Sequence, residues 1–299
     1  MQGVWTALIT PFLVDGSIDL ASFKRILRDQ VDAGVTGVIP CGTTGESPTL
    51  SLKEKQTLIE TCLQELKGTG VRVIAGTGSN DTRSTIEFSQ WADRLGVDGV
   101  LVVTPYYNKP SQAGLEAHFN AIASELKCEM VLYNVPGRTG VSLSAETVCR
   151  LAQHPKIRTL KEATGNVALS SEILHQIKTQ RLSLDILSGD DATYLPLLSI
   201  GAHGVISVAS NLFPRAMVRI QKLMEKGDIK KASEIHQQYY PLFRDLFIES
   251  NPVPIKAAMA TAGWCQSHVR LPLAALQKNH FDRLQESLAL CKIEKGVPA

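Results

Sequence analysis

Residues 71–104, VRVIAGTGSNDTRSTIEFSQWADRLGVDGVLVVT, contain the repeating unit that decides the fold. The apolar runs Val71–Ala75 and Gly99–Thr104 are rich in Val, Ile and Leu and are largely continuous rather than alternating, which is typical of strands buried on both faces of a parallel sheet. Between them, Thr82–Leu95 carries apolar residues at helical spacing. A strand, a helix and a second strand with short connections indicate a right-handed βαβ unit.

The same order repeats along the chain up to Val208, with helical periodicity recurring in Ser22–Ala33 and Ser51–Lys67. Eight apolar runs are predicted to be strands: Val4–Ile9, Gly37–Pro40, Val71–Ala75, Gly99–Thr104, Met130–Asn134, Ile157–Lys161, Leu184–Leu187 and Gly204–Val208. Eight such units predict an α/β protein with a closed (β/α)8 TIM barrel. A doubly wound sheet is the alternative, although such sheets more often have about five or six strands.

After Val208 the strand-like runs stop and the sequence favours helices. The candidate helices are Arg215–Lys226, Asp228–Ile248, Pro254–Ala262 and His280–Glu294. We therefore expect a barrel domain in residues 1–227 and a small C-terminal helical domain in residues 228–299, with the boundary near Gly227.

Composition argues against several classes of function. The 299 residues include 31 Lys and Arg against 29 Asp and Glu, and this near balance indicates no nucleic-acid surface. No stretch approaches the roughly 18 apolar residues of a membrane span, and the N-terminus lacks the features of a signal peptide, so we expect a cytoplasmic protein. The six scattered cysteines form no C-x-x-C pair and no histidine cluster follows the strands, so neither a metal nor a cofactor is expected.

Lys161 is the sharpest functional candidate. It closes the run Ile157–Lys161, and barrel active sites lie at the carboxyl ends of the strands. Desolvation there would lower its pKa. This matters because only the neutral amine attacks a carbonyl, and an amine with a pKa of about 10.4 is neutral in about one molecule in 2,500 at pH 7. Taken alone, the local sequence favours the alternative, a strand-end lysine that reaches water or pairs with Glu162.

Other chemical groups follow other strands. The Gly42-Thr43-Thr44-Gly45 turn offers amides and two hydroxyls at a predicted helix start, which suits a small carboxylate, although a Thr N-cap is the common alternative. Tyr133 ends a strand, where it can relay protons or cap the core. Arg138 lies in a loop where it can grip a carboxylate or remain an ordinary surface arginine. The Tyr106-Tyr107 pair suits an interface anchor.

These residues resemble the signatures of the dihydrodipicolinate synthase family. The similarity extends over nearly the whole chain and rests on Gly42–Glu46, Tyr133–Gly140, Leu160–Ala163, Ser188–Asp191, Gly204–Ser207 and Asn251–Pro254. The lysine and Thr-Thr motifs mark the wider superfamily of pyruvate aldolases. The loop that contains Arg138 is more specific, and it points to the synthase rather than to neuraminate lyase.

The resemblance implies a substrate for each part of the site. Lys161 would form an imine with pyruvate, and Thr43 and Thr44 would hold the pyruvate carboxylate. Arg138 would bind the carboxylate of L-aspartate 4-semialdehyde. The condensation product would feed diaminopimelate and lysine synthesis. No metal or cofactor would be needed, because the protonated imine serves as the electron sink.

The resemblance also implies a proton relay and an assembly. Thr44, Tyr133 and Tyr107 would form the relay, with Tyr107 reaching in from a neighbouring subunit. The backbones of Gly189 and Ile206 would contact the part of the substrate that derives from pyruvate. Similar proteins are homotetramers, usually dimers of dimers, and the same assembly is expected here.

One departure from the family pattern concerns feedback inhibition. Lysine-inhibited relatives hold lysine at a subunit interface with a Ser, two His, Asn, Glu and Tyr. Three of these positions match, namely Ser47, Asn80 and Tyr106. Leu52 and Lys55 stand in place of the histidines, and Ser84 in place of the Glu. An added cation without an acidic partner should weaken the binding of cationic lysine, so we predict weak or absent inhibition.

Two other functions remain open. Another pyruvate Schiff-base aldolase would cleave neuraminate or a 2-keto-3-deoxy sugar acid, but it would need a polyol-binding loop where Arg138 stands. A non-catalytic barrel that only binds a small acid is the second alternative, because fold alone never excludes it.

Overall fold

The computed structural model describes residues 1–291 and has eight parallel strands that close into a barrel in sequence order. The strands are β1 Gly3–Ala7, β2 Gly37–Ile39, β3 Arg72–Gly76, β4 Gly99–Val103, β5 Glu129–Asn134, β6 Ile157–Glu162, β7 Asp185–Ser188 and β8 Gly204–Ser207. All eight predicted strands are confirmed with small shifts at their ends. The closed sheet confirms the (β/α)8 TIM barrel and rules out the doubly wound alternative.

Helices alternate with the strands and then form the C-terminal part. They are α1 Leu20–Ala33, α2 Leu52–Glu65, α3 Thr82–Leu95, α4 Gln112–Ser124, α5 Pro136–Thr139, α6 Ala145–Leu151, α7 Val167–Thr179, α8 Tyr194–Ser199, α9 Pro214–Glu225, α10 Ile229–Asp245, α11 Val253–Thr261 and α12 Lys278–Leu290. The four predicted C-terminal helices are confirmed as α9 to α12. Positions 292–294 of the predicted helix His280–Glu294 lie outside the described residues. Within residues 1–291, no helix is both long and apolar enough to cross a membrane.

Local chemistry sets the boundaries of the βαβ unit in residues 71–104. The Asp81 carboxylate caps α3 by accepting a hydrogen bond from Ser84 N at 2.6 Å, and Gly96 ends the helix with a left-handed φ of 85°. Gly99 opens β4 where a side chain has no room, because a Cβ atom there would lie 2.8 Å from Glu129 O on β5. β4 pairs in parallel with β3 and with β5, so the carboxyl ends of these strands lie at one edge.

The chain forms two compact units. The first contains Met1–Gly3 and Val73–Ile206, and thus most of β3 through β8. The second contains Val4–Arg72 and the chain from Ser207 onward, and thus α1, α2 and the C-terminal helices. The predicted domain boundary near Gly227 stays a prediction.

Candidate active site

Lys161 lies near the carboxyl end of β6, and its side chain is buried. It pairs in register with Tyr133 on β5, its exposed fraction is 5%, and its Nζ lies 4.2 Å from the centre of the Tyr133 ring. Side chains alternate between the two faces of a strand, so the neighbouring Glu162 points the other way. There its carboxylate accepts hydrogen bonds from Asn134 Nδ2 at 2.9 Å and from Thr164 N at 2.6 Å. Lys161 therefore does not reach water as an ordinary strand-end lysine would.

Burial changes the chemistry of the Lys161 amine. Desolvation, aided by the positive charge of Arg138, lowers its pKa from the ordinary 10.5 to about 7, while the negative charge of Asp191 opposes the change. Asp191 is fully buried in the loop after β7, and its part in tuning the amine was not predicted from the sequence. A lysine in this state supplies neutral amine at neutral pH, which a nucleophile for a carbonyl requires.

Gly189 makes room for the Lys161 side chain. A Cβ atom at position 189 would lie 2.6 Å from Ala163 Cβ and 3.0 Å from Lys161 Cε. Gly189 N also donates a hydrogen bond of 2.7 Å to Glu162 O, which holds the backbone close to β6. The close approach gives a steric reason for glycine at this position. Ile206 lies on β8 and is fully buried.

Arg138 lies on the one-turn helix α5, directly after β5. Its side chain is exposed, and its backbone N donates to Val135 O at 2.9 Å. Asn134 anchors the following segment, because its Oδ1 accepts from Leu143 N at 3.0 Å while its Nδ2 holds Glu162. The guanidinium is thus carried on a short, fixed element, with its charge close enough to affect Lys161.

Tyr107 lies on the surface of the chain. Its side chain is 88% exposed, and its φ of 74° is in the left-handed region that residues other than glycine rarely adopt. The neighbouring Asn108 ties this loop to the βα loop after β3 through a hydrogen bond of 2.8 Å from its Nδ2 to Asn80 O. Strain at an exposed aromatic side chain often marks a functional position.

The Gly42–Glu46 turn lies in the second compact unit, where Thr43 is half-buried and Thr44 is buried. The prediction that this turn starts a helix is wrong. A 3₁₀ turn at Ser47–Thr49 follows it, and α2 begins after Ser51, whose hydroxyl caps the helix. The amides of residues 45, 46 and 47 bond to carbonyls inside the turn, so these three amides are not available to a carboxylate ligand.

A buried polar network connects this turn to the C-terminal helices of the same unit. Glu46 forms an ion pair of 2.6 Å with Lys256 on α11, and both side chains are fully buried. Arg270 N donates to the other Glu46 oxygen at 3.0 Å. Asn251 Nδ2 donates to Thr44 Oγ1 at 2.9 Å. The sequence analysis missed Lys256 and Arg270, because neither has a local pattern that separates it from surface cations.

Comparison with known proteins establishes the relationship. A sequence model of the Dihydrodipicolinate synthetase family matches residues 1–290. This chain belongs to that family. It is therefore a lyase of the Schiff-base-forming class, and the resemblance stated from the motifs is confirmed.

Individual members of the family support this result. The 4-hydroxy-tetrahydrodipicolinate synthase of Leptospira biflexa is 48% identical over 296 residues, covering 99% of both chains. The structure of the synthase from Methylacidiphilum fumariolicum SolV is 45% identical, with a TM-score of 0.94 over 97% of this chain and 95% of that one. The structure from Cyanidioschyzon merolae with lysine bound is 40% identical, with a TM-score of 0.92 over 97% of each chain. These names do not favour the sugar-acid aldolase alternative.

Proposed function

We propose that this chain condenses pyruvate with L-aspartate 4-semialdehyde to give 4-hydroxy-tetrahydrodipicolinate, in the route to diaminopimelate and lysine. The observation that carries the proposal is the buried Lys161 amine with a pKa of about 7. At that value about half of the amine is neutral at pH 7, against about one part in 2,500 for an unperturbed lysine. The names of the relatives support the choice of substrates.

The first half of the reaction captures pyruvate. The neutral Nζ of Lys161 attacks the C2 carbonyl carbon, and the carbinolamine loses water to give a protonated imine. Loss of a proton from C3 then gives an enamine. The protonated imine nitrogen accepts the electron pair that the C3–H bond releases. The Lys161 side chain is buried, and burial favours the neutral amine that starts the reaction.

The second half joins the two substrates. The enamine carbon attacks the aldehyde carbon of the semialdehyde, which forms the new carbon–carbon bond and regenerates the imine. The amine of the semialdehyde then attacks the imine carbon, closes the ring and displaces Lys161 as a free amine. One water leaves when the imine forms, and the last step regenerates the free Lys161 amine. The two substrates undergo no net oxidation or reduction, so no external oxidant or reductant takes part.

The other site residues complete the proposal. Thr43 and Thr44 hold the pyruvate carboxylate, and Arg138 binds the carboxylate of the semialdehyde. Thr44 relays protons together with Tyr133 and Tyr107, while the backbones of Gly189 and Ile206 contact the pyruvate-derived part. This assignment rests on the family motifs at these positions.

We also propose a homotetramer, arranged as a dimer of dimers. The exposed and strained Tyr107 supports it, since a side chain with so few contacts in its own chain suits delivery to a neighbouring subunit. The cytoplasm remains the expected location.

The acceptor specificity is tested with Arg138→Ala. For condensation with aspartate semialdehyde, kcat/KM should fall at least about 30-fold, the loss that follows truncation of one partner in a charged hydrogen-bonded pair. The pyruvate imine should still form at pH 8.5. Arg219→Ala, an exposed arginine on α9, is the matched control and should leave both unchanged. Turnover of N-acetylmannosamine by wild type in place of the semialdehyde would establish the sugar-acid alternative instead.

A further inference from the structure

Thr44 has a buried hydrogen-bond partner at the start of α11. The Nδ2 of Asn251 donates to Thr44 Oγ1 at 2.9 Å, although the two residues are 207 positions apart in the chain. Exposed fractions are 3% for Thr44 and 5% for Asn251, so water is largely kept from the bond. A neutral hydrogen bond in such a place fixes geometry more firmly than it would at the surface.

The direction of this bond determines what the hydroxyl can do. A threonine hydroxyl has one proton to donate and two lone pairs that accept. Because one lone pair receives the Asn251 amide, the O–H bond must point away from Asn251 and towards another acceptor. We propose that Asn251 is a positioning residue that directs the Thr44 proton into the relay; this rests on the proposed function.

The turn that carries Thr44 has little freedom to compensate for a lost partner. Directly after Thr44, the Thr10 hydroxyl donates to Gly45 O at 2.7 Å, and a Cβ atom at Gly45 would lie 3.2 Å from Leu8 O. One residue further on, Glu46 has a left-handed φ of 56° and is held by the buried ion pair with Lys256. Before Thr44, the carbonyl of Gly42 accepts hydrogen bonds from Gly45 N at 3.1 Å and Ser47 N at 3.3 Å. Because the backbone of the turn is held in this way, the direction of the Thr44 hydroxyl depends on its side-chain partner.

Asn251→Asp reverses the polarity of this bond while it preserves the shape of the side chain. An ionised carboxylate only accepts, so it would draw the Thr44 proton to itself and away from the relay. Asn251→Ala only removes the donor and leaves the hydroxyl free to rotate. We therefore expect kcat to fall at least about tenfold for Asn251→Asp and less for Asn251→Ala, which is part of the roughly 10²–10⁴-fold that positioned proton transfer contributes. A purely structural role predicts the reverse order, since the aspartate variant still bridges to Thr44.

A double-mutant cycle with Thr44→Val separates positioning from the added charge. Valine has the shape of threonine without the hydroxyl, so an effect that acts through Thr44 disappears in this background. The kcat loss caused by Asn251→Asp should shrink to within about twofold when position 44 carries valine. Repulsion of the pyruvate carboxylate by the new charge would instead raise KM equally in both backgrounds. Thr44→Ser restores a hydroxyl and should restore the sensitivity to Asn251→Asp.

The outcomes of the cycle are distinct. A kcat loss confined to the threonine background, with Asn251→Asp the more damaging substitution, supports positioning. Equal losses in both backgrounds, or greater damage from Asn251→Ala, overturn it. Each variant is also incubated with pyruvate and borohydride. If the wild type forms no pyruvate adduct, the proposed function itself fails. If the wild type forms the adduct but Asn251→Asp lowers kcat equally in the threonine and valine backgrounds, only the positioning role is overturned. Thermal unfolding identifies any variant that does not fold, and for that variant the comparison uses Asn251→Gln, which keeps the amide donor.

Discussion

Lys161→Met should stabilise the folded protein, because the native fold depresses the pKa of Lys161. The change from the ordinary 10.5 to about 7 corresponds to about 5 kcal/mol, at 1.36 kcal/mol for each pKa unit. Below pH 7 both the folded and the unfolded states carry the proton, so the wild type bears this whole cost. Between pH 7 and 10.5 the unfolded state binds more protons, so the stability of the wild type rises with pH through that window.

The methionine variant has a side chain of similar length and no charge to bury. Its advantage in free energy of unfolding should therefore fall from about 5 kcal/mol at pH 6 to about 2 kcal/mol at pH 9. Urea unfolding of both proteins at matched concentration and at four pH values measures this difference. Lys53→Met, on the exposed face of α2, is the control and should give a small and constant difference. An advantage that is absent, or that grows with pH, would refute the claim that burial depresses the pKa of Lys161.

The remaining predictions concern the amine, its surroundings and the regulation of the enzyme. The rate of pyruvate capture should rise roughly fivefold from pH 6 to pH 7 and only about twofold more above pH 7, because the amine titrates with a pKa of about 7. Stopped-flow absorbance of the imine measures this rate. A continued tenfold rise for each pH unit would show that the amine is unperturbed. Gly189→Ala should slow pyruvate capture at least about tenfold. The added Cβ displaces the Lys161 side chain, and a misplacement near 1 Å can lower a reaction rate about a hundredfold. An unchanged capture rate would show that the loop at position 189 moves to make room for the added Cβ. L-Lysine should inhibit only at millimolar concentration or not at all, since Leu52 and Lys55 replace the histidines of inhibited relatives; an inhibition constant in the low micromolar range in a steady-state assay would contradict this.

The barrel could be predicted because its signals are local. Runs such as Gly99–Val103 are continuous and apolar, as both faces of a parallel strand are covered, and helices such as Thr82–Leu95 have their own caps and periodicity. The predicted start of a helix was wrong where one turn fits two interpretations, a helix start or a separate turn before the helix. The Gly42–Gly45 turn resembles a helix start, but the capping box of Ser51 and Glu54 begins the helix several residues later.

The site was predictable only in part. Lys161 stood out because a lysine closes a buried run in the middle of the chain, which is unusual for a charged residue. The packing of Gly189 against that lysine could not be predicted, because it depends on the side-chain path of a neighbouring strand. The contacts of Asn251 and Lys256 were equally hidden, since each joins residues more than 200 positions apart and no periodic pattern links them.

The central claim is that Lys161 forms the imine with pyruvate. Intact mass after incubation with pyruvate and borohydride tests it most directly, on wild type and on Lys161→Ala, with the exposed Lys53→Ala as a control. We expect wild type and Lys53→Ala to gain the mass of one reduced pyruvate adduct for each chain, and Lys161→Ala to gain none. No gain in the wild type, or an equal gain in Lys161→Ala, would contradict the Schiff-base mechanism at this residue.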